Sequence, residues 1–175
     1  MLMTKSDIET DQVKPHILVV DDEAGLRQSL AEYFQLTGFA VNTADNASDA
    51  YTLLLQEPHD AIVTDVKMPG EDGISLLGRV RQKWPEIPVV LMTGHAQLEM
   101  AIEALKIGAF DFVQKPFRLD YMVKIVERAV NYARLQRLEK NYVVELEQAV
   151  RRVGRFVLEH IQPGTQDTPG RQSLG

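Results

Sequence analysis

Alternation constrains this chain more than any other feature. Short β-rich apolar runs recur at His16–Val20, Phe39–Ala44, Ala61–Asp65, Val89–Thr93 and Asp111–Gln114. Between them lie stretches with helical periodicity: Leu26, Leu30, Tyr33 and Phe34; Ala47, Ala50, Leu53 and Leu54; then Ile74, Leu77, Val80 and Arg81. Met100, Ile102, Leu105 and Ile107 suggest a shorter fourth helix. Strands alternating with helices of about ten residues form right-handed βαβ crossovers and a parallel sheet. The strand runs are nearly continuous Val, Ile and Leu, as expected of strands covered on both faces. An open, doubly wound α/β sheet follows. Gly38 after the first helix and Pro58 after the second mark element ends, and Pro85 and Pro88 bracket the turn before the fourth strand.

A fifth helix begins after Pro116, with an apolar stripe of Leu119, Met122, Val123, Val126, Ala129 and Val130. The pattern continues through Leu135, Leu138, Tyr142, Leu146, Ala149, Val153 and Phe156 in steps of three and four, a heptad-like seam with one stutter. A helix from Leu119 to Arg152 would span ~50 Å at 1.5 Å per residue. A lone helix of that length would leave the seam in water, so we expect a parallel homodimer through it. Beyond it, PGTQDTPGRQSLG reads as a disordered end. The expected organisation is a flexible N-terminus over 1–14, a domain over 15–134, a helical coiled-coil extension over 135–158 and a disordered tail over 159–175.

Composition narrows the function. The chain has no cysteine, which excludes disulfides, thiolate metal sites and a cysteine nucleophile. Residues 1–134 hold 13 Lys/Arg against 20 Asp/Glu, and an acidic body disfavours contact with nucleic-acid phosphates. No run is long enough to span a bilayer, and MLMTKSDIETDQVK lacks the apolar core of a secretory signal. The cytoplasm is the expected compartment, with no membrane partner.

The chemistry gathers at the carboxyl ends of the predicted strands. Asp21, Asp22 and Glu23 follow the first, Asp65 ends the third, Thr93 ends the fourth and Lys115 follows the fifth. In an open parallel sheet those ends meet at one crevice. Carboxylates brought that close repel unless a cation neutralises them. An all-oxygen site suits Mg²⁺ or Mn²⁺. A lysine and a hydroxyl at the same rim suit phosphoryl oxygens, and a carboxylate there can become an acyl phosphate. Singly, each residue has a plainer role: a strand-end Asp is often a helix cap, Thr93 a turn hydroxyl, Lys115 a surface charge. Asp60, at the opposite edge, reads as a cap or turn residue. Their joint placement at four strand ends favours a site. His16, His59 and His160 look scattered, with no sign of a catalytic set.

VVDDE, DVKMPGEDG, MTG and KPF, at these spacings over about residues 15–134, resemble the receiver domain of bacterial two-component response regulators. The resemblance implies a flavodoxin-like fold with strand order 2-1-3-4-5 and an extended C-terminal helix. It implies Asp65 as phospho-acceptor from a sensor histidine kinase. Asp21, Asp22, Asp65 and the Lys67 carbonyl would bind Mg²⁺ (or Mn²⁺). Thr93 and Phe112 would form the switch pair, Phe112 standing where the family often has Tyr. Gly94 would leave space for the phosphate, Lys115 would hold it, and a cis Lys115–Pro116 bond is expected. Lys67 and His95 would tune phosphoryl lifetime or be plain loop side chains. Such a chain catalyses only its own phosphoryl transfer and loss.

Two alternatives stand beside this. The chain could be the regulatory part of a larger transcription activator or signalling enzyme whose output module lies elsewhere. A haloacid-dehalogenase-type hydrolase also uses an aspartyl nucleophile and Mg²⁺. That class carries DxDx(T/V) after its first strand, where this chain has DDE.

Overall fold

The computed structural model describes residues 13–94 and 98–160. The expected flexible segment up to residue 12, His95, and the tail from residue 161 lie outside the described residues. Five strands and five helices alternate: β1 His16–Val20, α1 Ala24–Leu36, β2 Ala40–Ala44, α2 Ala47–Gln56, β3 Ala61–Asp65, α3 Gly73–Lys83, β4 Val89–Thr93, α4 Leu98–Ile107, β5 Asp111–Gln114 and α5 Leu119–His160. The sheet is parallel throughout, in the order β2-β1-β3-β4-β5.

Period-two alternation sorts the strands between two cores. Leu18, Val20, Ile62, Val89 and Leu91 pack with Ala50 and Leu54 of α2 and with Leu76, Leu77 and Val80 of α3. Ile17, Val19, Val63, Val90 and Met92 pack on the other face with Leu30 and Phe34 of α1 and with Met122, Val126 and Ala129 of α5. Each large apolar side chain removed from water contributes about 1.5–3 kcal/mol, so both faces hold the sheet. Side-chain caps start two of the helices. Asn46 accepts from Asp49 N at 2.8 Å on α2, and Asp72 accepts from Ser75 N at 2.7 Å on α3.

The fourth helix, expected from its apolar residues, is present, and its side chains divide by size. Met100, Ile102, Leu105 and Ile107 are exposed, whereas the smaller Ala101 and Ala104 are fully buried, Ala104 packing into the core with side chains of α3.

The chain divides into two compact units between Arg137 and Leu138. The second is helical as far as His160, and its Leu138, Tyr142, Leu146, Val150 and Val153 are exposed.

Candidate functional site

The carboxylates of the acidic pocket come from two strand ends, those of β1 and β3. Asp21 directly follows β1, is fully buried, and its Oδ1 accepts from Glu23 N at 2.8 Å. Glu23 is the N-cap of α1 and makes no side-chain cap bond. Asp65 closes β3 and is buried. Asp22 lies beside them, exposed. Each of Asp21, Asp22 and Asp65 offers a carboxylate oxygen within 4.8 Å of the other two.

Lys115 enters from the end of β5. Its Nζ lies 3.0 Å from Asp21 Oδ2 and 3.3 Å from Asp65 Oδ1. Its backbone N donates to Thr93 O at 2.8 Å, which places the lysine next to the end of β4. The Lys115–Pro116 peptide is cis. Thr93 is fully buried, and its hydroxyl donates to Gly94 O at 3.0 Å. Phe112 is half-buried on β5, paired in register with Leu91. Lys67 is exposed, two residues past Asp65.

Burial is the main reason the Asp65 carboxyl is held above its ordinary value. The Lys115 charge pulls it back down, and Asp21 and Asp22 add to the rise. For Lys115, burial works against its charge. The hydrogen bond to Asp21 and the charges of Asp65 and Asp21 outweigh it, so its pKa is raised. One ammonium among three carboxylates leaves the pocket anionic. The donors are all oxygen, and one carboxylate is fully buried. That set fits a hard divalent cation such as Mg²⁺.

Two contacts here were not foreseen in the sequence. Arg27 Nη1 donates to Asp21 O at 2.6 Å, one turn into α1. Gly73 packs against the backbone of Asp65: a Cβ on it would lie 2.0 Å from the Asp65 carbonyl oxygen. The Asp72–Gly73 pair inside the MPGEDG loop was the available signal for that contact. Nothing local signalled Arg27. The histidines also differ from expectation. His16 and His59 are not scattered but stacked, with ring centroids 4.4 Å apart.

A family model described as the response regulator receiver domain matches residues 17–127. The chain belongs to this receiver family. It is 43% identical over 124 residues to the regulatory protein AtoC of Escherichia coli, covering 71% of this chain and 26% of that protein. It is 40% identical over 120 residues to the transcriptional regulatory protein FixJ of Bradyrhizobium diazoefficiens, covering 69% and 58%. A receiver domain protein structure from Clostridium thermocellum superposes with a TM-score of 0.68 at 30% identity, covering 70% of this chain and 98% of that one. The chain spans only about a quarter of the first relatives it matches, 27% in the case of the DNA-binding transcriptional regulator NtrC of Salmonella typhimurium. Among the described residues, no helix is long and apolar enough to cross a membrane.

Proposed function

We propose that this receiver accepts a phosphoryl group on Asp65 from a sensor histidine kinase. The observation that carries the proposal is the placement of Asp65. It is a buried carboxylate at the end of β3, with Lys115 at 3.3 Å and two more carboxylates around it. An Asp65 Oδ attacks phosphorus in line as the N–P bond of the donor phosphohistidine breaks. Lys115 lies where its ammonium meets the new phosphoryl oxygens. Asp21, Asp22, Asp65 and the Lys67 carbonyl would hold Mg²⁺ or Mn²⁺. When bound, that ion offsets charge on the transferring oxygens.

The switch follows from charge. A phosphoryl group adds about −1.5 to −2 at Asp65. The Thr93 hydroxyl exchanges its bond to Gly94 O for one to a phosphoryl oxygen, and Phe112 takes the space it leaves. Packing then changes on the face formed by α4, β5 and α5, a biased two-state equilibrium. Lys67, exposed two residues past the acceptor, would shield the acyl phosphate from water.

The output we infer is control of self-association through the apolar seam of α5, with no nucleic-acid contact from this chain and residence in the cytoplasm. The extended helix over 135–158 is the dimerisation element, and the receiver proper is 15–134. A second possibility is that the receiver governs an output module in a longer regulator. The length of its relatives favours this, since the chain spans 26% of AtoC and 27% of NtrC.

We read the chain as an acceptor modified once per molecule, not a turnover hydrolase. Incubation with acetyl phosphate tests this directly. Labelling should depend on a divalent cation, saturate near one phosphoryl group per chain and vanish in Asp65→Asn. Catalytic release of phosphate from many esters, or equal labelling of the variant, would contradict it.

A further inference from the structure

The stacked histidines belong to a second cluster, at the end of the sheet opposite the acidic pocket. His16 opens β1, and Glu57, His59 and Asp60 lie in the connection between α2 and β3. His16, Glu57 and His59 each offer a ligand atom within 4.8 Å of the other two.

Hydrogen bonding assigns the protons. A carbonyl only accepts, so His59 Nδ1–H donates to Glu57 O, at 3.1 Å. That leaves Nε2 of neutral His59 with a bare lone pair. The ring is only 3% exposed, and Nε2 has no hydrogen-bond partner. A buried acceptor left unpaired is costly, so such an atom is retained for a reason. The Asn42 amide nitrogen donates to Glu57 Oε1, which leaves Asn42 Oδ1 as acceptor for His16 Nε2–H at 2.6 Å. The other His16 nitrogen, Nδ1, lies 3.9 Å from Glu57 Oε2, a gap that a shared cation or a proton on Nδ1 would bridge.

The surroundings leave this trio available. Asp60 is already engaged: its Oδ2 accepts from His16 N at 2.8 Å and its Oδ1 from Arg137 at 3.0 Å. Burial, reinforced by the neighbouring His16, lowers the His59 pKa. The Glu57 side chain is 42% exposed, and a surface pocket lined by Glu57, His59, Asp60 and Arg137 opens beside it. An ion therefore has a path from solvent.

We propose that His16, His59 and Glu57 form a binding site for a borderline divalent transition-metal ion, Zn²⁺ above all. Two imidazoles and one carboxylate are a zinc ligand set with an open fourth position for water. Mg²⁺ prefers oxygen donors and is not expected here. The ion would tie the start of β1 to the α2–β3 connection and stabilise the folded chain by mass action.

The test is calorimetric titration of Zn²⁺ into the full chain in saturating Mg²⁺, which occupies the all-oxygen pocket. One Zn²⁺ should bind per chain, and the His16 and His59 ring signals should shift by NMR. Because His59 is buried, the test rests on His16→Gln and Glu57→Gln, with circular dichroism checking that both fold. Each should weaken Zn²⁺ by about 100-fold or more, beyond the loss seen when only a supporting residue is removed. His95→Gln and His160→Gln should leave affinity unchanged. No zinc uptake in Mg²⁺, or undiminished affinity in either His16→Gln or Glu57→Gln, overturns the proposal. The 3.9 Å gap would then be filled by a proton, with His16 as the counter-ion of Glu57.

Discussion

Asp65 carries its charge against its surroundings. Its raised pKa means the folded state holds this proton more tightly than the unfolded chain does. The group therefore favours folding most at low pH. That contribution is lost as pH rises from the ordinary value of 3.8 through the raised one. At neutral pH the penalty is complete, so Asp65→Asn should raise the melting temperature of the metal-free protein. The gain should shrink as pH is lowered toward 3.8 and when Mg²⁺ is added to the wild type. A lower melting temperature for the variant at neutral pH would show that the Lys115 contact outweighs burial. Gly73 makes an independent case. A methyl there would sit 2.0 Å from the Asp65 carbonyl oxygen, a backbone atom with no room to yield. Gly73→Ala should cost about 1–3 kcal/mol or more in urea unfolding and slow phosphorylation by displacing the acceptor. Unchanged stability would mean the loop opens freely.

Local patterns carried most of what the sequence revealed at the scale of elements. The alternation of Ile17 and Val19 with Leu18 and Val20 left both faces of β1 apolar, and both faces are indeed covered. Strand ends were legible because Asp65, Thr93 and Lys115 each close an apolar run, and parallel connectivity gathers such ends at one side. The sequence signalled α4 through Met100, Ile102, Leu105 and Ile107 but not which side is buried: those four are exposed, and Ala101 and Ala104 are fully buried. That assignment is measurable. Ala104→Leu should destabilise by about 1–3 kcal/mol through overpacking. Ile102→Lys should stay within about 0.5 kcal/mol, as surface changes do. The reverse ranking in denaturant unfolding would place the apolar set in the core. Contacts between distant segments were beyond the sequence altogether. His16 meets His59, and Asp60 meets Arg137, only through the sheet and the helix packed on it.

Across the whole molecule, the proposed function joins two features: a charge-driven switch in the receiver and self-association through the apolar seam of α5. Leu135, Leu138, Tyr142, Leu146 and Val153 are exposed, and burying each of the larger ones contributes about 1.5–3 kcal/mol. Sedimentation should find the full chain dimeric at micromolar concentration and a version ending at Arg134 monomeric. A monomeric full chain would remove the seam from the account. All of this depends on the phosphoryl group arriving at Asp65. Borohydride reduces an aspartyl phosphate to homoserine, which peptide mapping by mass spectrometry locates. After incubation with acetyl phosphate and Mg²⁺, homoserine should be found at position 65 alone. Homoserine at position 21 or 22, or none at 65 in protein that has taken up phosphate, would contradict the assignment.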